Sequence, residues 1–398
     1  MKYNAIYGQS GGPTSVINAS LYGVIKECEK QESIDTLFLM HNGIKGLIDN
    51  NIKDIKEVSK RQISLLKQTP SAILGSIRYK LKPFEEDESD YLKIVENIKK
   101  NNIKYIFLNG GNDSMDTTKK LSDYFKKINL DCKVVGIPKT IDNDLMHTYF
   151  TPGYPSSAKF IANCIKDIYY DNDCYPKGRI NIVEIMGRDT GWLTASSALV
   201  KEYKPDLIYV PEVPFDIEQF LLDVQEIYSK KKRCLVAVSE GIKDINNNFI
   251  CTQGKNDAFA HHQLGGVGFY LSSLINERLN ISTRAIELSL LQRSFSQLNS
   301  KIDIECAIKA GRYAVKFALE GLSNIMVIIN YEKNNFTYSY HQLDTIANQI
   351  KYLDRTMIND KGNNVTNEFI KYGNKLINGE NKLIYKNGIC VFANKNKF

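Results

Sequence analysis

The 398-residue sequence predicts an α/β protein built on mostly parallel sheets. Two observations predict it. Short apolar runs of strand length alternate with longer amphipathic stretches, and glycine-rich or acid-rich turns stand at the ends of the apolar runs. In such sheets, functional residues gather beyond the C-terminal ends of the strands.

Taken in order, residues 5–8 read as a strand and 14–30 as a helix, with a second strand at 36–40. Residues 103–108 read as a strand, 114–127 as a helix and 134–137 as a strand. Thr151-Pro152-Gly153-Tyr154-Pro155 has turn chemistry at a plausible domain crossing. The helix expected from about Ser156 carries Phe160, Ile161, Cys164, Ile165 and Ile168 at helical spacing, the mark of a packed face. Strands at 180–186, 207–210 and 235–239 follow, separated by helices at 190–202 and 216–230. The acidic run Glu85-Glu86-Asp87-Glu88 reads as a solvated loop, and 343–353 as a helix in an ordered tail rich in Asn and Lys.

Composition narrows the function classes. The chain is 43% hydrophobic and 24% charged, ordinary for a globular protein large enough for two domains. Lys and Arg number 52 against 45 acids, a net +7 that suits a small anionic substrate. No basic run with interleaved aromatics points to nucleic acid. No stretch of some twenty apolar residues points to a membrane, and residues 1–8 are too short and polar for a signal peptide. None of the eight cysteines forms a C-x-x-C pair, so reduced thiols and a cytoplasmic setting are expected. His41, His147, His261, His262 and His341 read as ordinary residues. The neighbours His261 and His262 point to opposite sides of any regular element, which makes a poor metal site.

The chemistry is concentrated in Gly136-Ile137-Pro138-Lys139-Thr140-Ile141-Asp142-Asn143-Asp144, just after an apolar run. One cation, one hydroxyl and two carboxylates within a few residues of a strand end suit phosphoryl transfer. The cation neutralises phosphate, one acid takes a proton, and another helps hold a metal. Asn109-Gly110-Gly111-Asn112-Asp113-Ser114 also follows an apolar run, where glycines let backbone approach a phosphate and the next helix offers free N–H groups. Gly8-Gln9-Ser10-Gly11-Gly12 offers a similar βα turn. It is not a Walker loop, because no Gly-Lys-Ser/Thr ends it, and it lacks the G-x-G-x-x-G order of dinucleotide-binding oxidoreductases.

Together with Leu74-Gly75-Ser76-Ile77-Arg78, Met186-Gly187-Arg188, Ser239-Glu240-Gly241 and Leu290-Leu291-Gln292-Arg293, these blocks resemble the phosphofructokinase family, closest to its pyrophosphate-dependent members. The resemblance implies two Rossmann-like three-layer domains with the active site in the cleft between them. Residues 1–150 would form a donor-phosphate domain to which the chain returns after about 292. Residues 151–291 would form a sugar-phosphate domain, and 331–398 a C-terminal extension.

The implied reaction transfers a phosphoryl group from pyrophosphate to the 1-hydroxyl of fructose 6-phosphate, with Mg²⁺, in either direction. Gly11, Asp113, Ser114 and Lys139 would bind the donor. ATP-using relatives have glycine at the positions of Asp113 and Lys139, so a carboxylate here crowds a third phosphate and a lysine fills the vacated space. Asp142 would be the general base and Thr140 would orient the transferred group, with Ile141 beside them. Arg188, Met186, Gly187, Glu240, Leu290 and Arg293 would hold the sugar phosphate. Arg179 and Arg284 would reach into a neighbouring subunit's site. Two positions depart from the family. Asn112 stands where many relatives have a metal-binding aspartate, leaving Asn112 and Asp113 as the metal-side pair with Asp142 and Asp144 near. Leu290 stands where many have a polar residue. An ATP-dependent enzyme and a non-catalytic regulatory subunit are the alternatives within the same resemblance.

Overall fold

The computed structural model describes residues 2–77, 79–252 and 264–398. His261 and His262, and Arg78 of the Leu74–Arg78 block, lie outside them.

Along the chain, β1 (Tyr3–Gln9) leads to α1 (Ile17–Cys28), β2 (Ile34–Met40), α2 (Ile44–Ile48), β3 (Ile52–Asp54), α3 (Lys60–Leu65) and α4 (Ser89–Lys100). Next come β4 (Ile103–Gly110), α5 (Asn112–Lys127), β5 (Lys133–Pro138), α6 (Tyr154–Asp173), β6 (Ile180–Ile185), α7 (Trp192–Ala195), β7 (Leu207–Tyr209), α8 (Ile217–Lys231) and β8 (Cys234–Ser239). The last part holds α9 (Val267–Leu279), β9 (Thr283–Glu287), α10 (Leu291–Ser294), α11 (Lys301–Leu319), β10 (Ile325–Glu332), β11 (Asn335–Gln342) and α12 (Asn367–Leu376).

Two compact units emerge. The first comprises the chain up to Ser156, Arg293–Ile350 and Gly379–Phe398, and the second comprises Ser157–Gln292 and Lys351–Asn378. The stretch after Tyr331 is therefore divided between both units rather than standing apart.

The first unit is built on a seven-stranded sheet ordered β11-β10-β5-β4-β1-β2-β3. Its centre is parallel, and its two edge pairs, β10 with β11 and β2 with β3, are antiparallel. The central strands β1, β4 and β5 are mostly buried because both faces of the sheet are covered there. Ala5, Tyr7, Tyr105 and Phe107 enter one core with α1 and α11, while Ile6, Ile106 and Leu108 enter the other with α4 and α5. Each fully buried aliphatic chain contributes roughly 1.5–3 kcal/mol. The helices α1 and α11 touch backbone to backbone. A Cβ on Gly23 would meet the Ile308 carbonyl at 2.0 Å, and one on Gly311 the Ser20 carbonyl at 2.2 Å. Strand order reverses between β1 and β4, so the loops after these two strands flank the crevice where such sheets bind ligands.

The second unit has a parallel four-stranded sheet ordered β7-β8-β6-β9. Ile180, Ile182, Val236 and Val238 pack with Phe220, Val224 and Leu271 of α8 and α9. Asp216 caps α8 by accepting a 3.0 Å bond from the Gln219 N–H.

Three local expectations are corrected. Residues 343–353 are not a helix. Only a 3₁₀ turn at Leu343–Thr345 forms, because Asn348 takes φ 60° and its neighbourhood is held by α5. Residues 190–202 form the four-residue α7 followed by a 3₁₀ stretch broken at Lys201, where φ is 54°. The first helix starts at Ile17 rather than at 14, so residues 13–16 separate it from Gly12.

Candidate active site

In the first unit the loop after β1 is fixed by buried amides. Gln9 donates to Asn18, and Asn18 donates to the carbonyls of Thr69 and Ser71. In return, Ile73 N–H donates to Asn18 and Leu74 N–H to Gln9. This ties 69–76 against β1 and explains the Leu74–Ile77 block. Ser76 Oγ then donates to the Gly11 carbonyl at 2.6 Å, and Lys139 Nζ to the Gly12 carbonyl at 2.6 Å. With both carbonyls engaged, the Gly11 and Gly12 N–H groups have no partner among the described residues.

Gly11 has φ +75°, a left-handed conformation that glycine adopts without strain. A Cβ on Gly11 would sit 3.4 Å from Lys139 Nζ, and one on Gly12 would sit 3.2 Å from Arg293 Nη1. The glycine pair thus forms a cradle with two cations beside it. Arg293, expected with the sugar-phosphate residues, is placed by the structure in the first unit next to this loop.

The loop after β4 is short. Gly111 precedes α5 without a side-chain cap; Ser114 N–H bonds to the Gly111 carbonyl at 3.0 Å, leaving the N–H groups of Asn112 and Asp113 for an anion. Ser114 is buried and a Cβ on Gly110 would strike its hydroxyl at 1.9 Å, so the turn closes tightly. Asp113, in that first turn, is exposed.

The loop after β5 carries the densest chemistry. Lys139 N–H bonds to the Gly110 carbonyl and Thr140 N–H to the Pro152 carbonyl, 3.0 and 3.2 Å. Thr140 Oγ1 donates to Asp142 Oδ2 at 3.2 Å and accepts from Asp142 N–H at 3.1 Å. Ile141 is buried, and Asn143 accepts from Thr151 N–H at 2.9 Å. Lys139 is only 2% exposed. Burial lowers its ammonium to about 8. Asp142 opposes that fall, Arg293 adds to it, and Asp144 and Asp113 oppose it more weakly. The same electrostatics show three carboxylates and one guanidinium acting on one buried ammonium.

Asn112 does something its sequence context did not suggest. Its Nδ2 donates to the Gln349 carbonyl at 2.6 Å and its Oδ1 accepts from the Asn348 N–H at 2.8 Å. The amide is spent on fastening the chain's own later segment. Phosphofructokinases generally use a divalent metal. Among the described residues no three His, Cys, Asp or Glu side chains cluster to hold one. The acids nearest Lys139 are Asp142, Asp144 and Asp113, hard oxygen donors of the kind divalent metals take.

In the second unit, the loops after β6 and β8 meet. Gly187 has φ +146°, and its N–H donates to Glu240 Oε1 at 3.3 Å. Ser239 Oγ donates to the Gly187 carbonyl at 2.5 Å, and a Cβ on Gly241 would strike the Arg188 carbonyl at 2.0 Å. Met186 N–H donates to Gln292 Oε1 at 3.1 Å. Gln292 stands inside the Leu290–Arg293 block, but nothing local in the sequence marks it as a partner of Met186. Arg188 is half-buried and Leu290 exposed. Arg179 and Arg284 lie elsewhere. Arg179 precedes β6, and the β6–β9 register pairs Asn181 with Arg284. Both therefore sit at the N-terminal end of the sheet, away from Gly187 and Glu240.

Residues 4–318 match the family described as Phosphofructokinase. The chain belongs to the phosphofructokinase family. It is 35% identical to a pyrophosphate–fructose 6-phosphate 1-phosphotransferase of Halomonas elongata, covering 98% of this chain and 96% of that protein. It is 36% identical to the protein of the same name from Methylococcus capsulatus, covering 97% and 94%. The structure of a pyrophosphate-dependent phosphofructokinase from Marinobacter aquaeolei superposes with a TM-score of 0.89 at 31% identity, over 99% of this chain and 96% of that one. Among the described residues no helix is long and apolar enough to cross a membrane.

Proposed function

We propose that this phosphofructokinase transfers a phosphoryl group from pyrophosphate to the 1-hydroxyl of fructose 6-phosphate, reversibly, giving fructose 1,6-bisphosphate and phosphate. The observation that carries the reading is the buried Lys139 ammonium, bonded to the Gly12 carbonyl and facing Asp142, Asp144 and Asp113. A buried cation there balances a small, dense anion and leaves little room for a nucleoside.

Pyrophosphate would lie along the Gly11-Gly12 N–H groups and the first turn of α5, with Lys139 on the oxygens that gain charge as the bridging P–O bond breaks. Asp113 would repel a longer polyphosphate. The sugar 1-hydroxyl attacks the near phosphorus, and Asp142 takes its proton. Thr140, hydrogen-bonded to Asp142, orients the transferred group. When bound, Mg²⁺ would neutralise the phosphate oxygens. Asp113 is the carboxylate best placed to hold it through water, and Asn112 is committed to backbone. Arg188, the Met186-Gly187 backbone and Glu240 would grip fructose 6-phosphate, and Arg293 would add charge beside the glycine loop. Arg179 and Arg284 would serve a second copy of the chain. The free cysteines suit a cytoplasmic enzyme.

A coupled assay for fructose 1,6-bisphosphate, run with pyrophosphate and with ATP, tests the reading. Turnover with pyrophosphate alone is the expected result. Turnover with ATP alone would overturn the donor assignment, and turnover with neither would favour a non-catalytic subunit.

A further inference from the structure

Asp303 lies on the first turn of α11 and is fully buried. A buried carboxylate is costly unless every lone pair is used. Here Gly153 N–H donates to both oxygens, at 3.0 and 3.2 Å. Ser156 N–H donates to Oδ2 at 3.0 Å and Ser156 Oγ to the same atom at 2.6 Å. Ser156 Oγ also accepts from Ser300 N–H, the cap residue of α11, at 3.2 Å. The carboxylate therefore joins the start of α11 to the start of α6. Burial pushes its carboxyl up to about 6, against the hydrogen bonds from Ser156 and Gly153. Cys306, about one turn along α11, has its thiol pushed up mainly by burial, with the Asp303 charge adding a smaller part.

The segment it holds is the one on which the phosphoryl-transfer loop rests. Gly153 forms a parallel bridge with Thr140, Thr140 N–H bonds to the Pro152 carbonyl, and Thr151 N–H bonds to Asn143. Gly153 sits at φ +113°, where a Cβ would meet Thr14 at 2.7 Å and the Thr140 carbonyl at 3.0 Å. The fit is too close for the segment to shift without moving residues 140–143.

We propose that Asp303 is a positioning residue for phosphoryl transfer: its carboxylate clamps 151–156, and that segment fixes the height of Thr140 and Asp142. The proposal rests on the function proposed above. It requires Asp303 to act on turnover rather than on substrate affinity, since it is bonded to backbone and to Ser156, not to a binding group. An amide at 303 turns one acceptor into a donor that faces an N–H, and the clamp opens.

The test combines kinetics with hydrogen exchange on the full chain. Asp303→Asn is expected to lower kcat about tenfold to a hundredfold, in line with a misplaced reacting group, while KM for pyrophosphate and fructose 6-phosphate stays within about twofold. Amide exchange at 140–143 should quicken, with the β1 amides unchanged. Ser156→Ala keeps both Gly153 bonds and should show the same pattern, more weakly. It serves as the readout if Asp303→Asn does not fold. Unchanged exchange at 140–143 in a folded variant, or a loss confined to KM, overturns the proposal. Exchange does not depend on turnover, so a wild type inactive with pyrophosphate would sink the donor reading while exchange still decides the clamp.

Discussion

The Lys139 ammonium donates a 2.6 Å hydrogen bond to the Gly12 carbonyl, joining the loop after β5 to the loop after β1. A buried lysine normally carries a desolvation penalty without return. Here the penalty is partly offset by three nearby carboxylates, and a bound anion would offset more.

That geometry gives a pH prediction. Lys139 is lowered to about 8 in the folded protein, below the 10.5 of a free lysine. Below about 8 the ammonium is present and pyrophosphate is balanced. As pH rises through about 8 the native lysine loses its proton, so kcat/KM for pyrophosphate should fall. Stability moves the other way in the window from about 8 to 10.5, because the unfolded chain still binds the proton there and the folded one does not. Lys139→Met should remove both dependences. Rate and thermal-unfolding profiles measured across that window, if they fall together in the wild type, would contradict this assignment.

Donor choice is separable from catalysis. Asp113→Gly should permit measurable ATP use, since it removes charge and bulk from the exposed first turn of α5. Lys139→Gly should cut pyrophosphate turnover about 10²–10³-fold, as for other groups that stabilise developing charge. The two effects should not add, because both side chains act on one anion. Donor competition assays on the single and double variants check this. An unchanged preference in Asp113→Gly would remove Asp113 from donor selection.

For Asp142, replacement by Asn should reduce kcat about 10²–10⁴-fold with little change in sugar-phosphate binding. Thr140 would keep a partner at that position, so the loop is not expected to collapse. Steady-state kinetics with calorimetric binding of fructose 6-phosphate distinguishes lost chemistry from lost affinity. Near-normal turnover would assign the proton elsewhere.

The two arginines at the N-terminal end of the second sheet lead to a mixing experiment. If Arg179 and Arg284 complete a neighbour's site, Arg179→Ala and Asp142→Asn, each inactive alone, should regain activity when subunits exchange. Native mass spectrometry confirms exchange. Mixed oligomers with no recovered turnover would exclude a shared site.

Much of this was legible in the sequence, for reasons that can be named. The strands around β1, β4, β5, β6 and β8 are continuous apolar runs, which parallel sheets covered on both faces require, and the glycine and acid turns mark their ends. The antiparallel edge β11 does carry a strand signal, the polar and aromatic alternation of Asn335–Gln342, but it is masked by the Asn- and Lys-rich stretch around it. The 343–353 segment has helical spacing in Leu343, Ile346 and Ala347, but those residues are buried by a 3₁₀ turn on the sheet edge. At the site, residue types pointed to Lys139, Thr140 and Asp142. Partners distant in sequence did not appear, since nothing local joins Asn112 to Gln349 or Asp303 to Gly153.

The match to the family model ends at residue 318, yet β10 begins at Ile325 and pairs with Val135 and Gly136 of β5, and full-length relatives align across nearly the whole chain. A chain cut back to residue 318 would leave β5 as an open edge, a bare row of N–H and C=O groups inviting a foreign strand. It would also release α5 from the Asn348–Gln349 turn. Anyone shortening this enzyme for expression should keep residues through Gln349 with the first unit. The apparent tail closes the edge of the first sheet and holds the start of α5 in place.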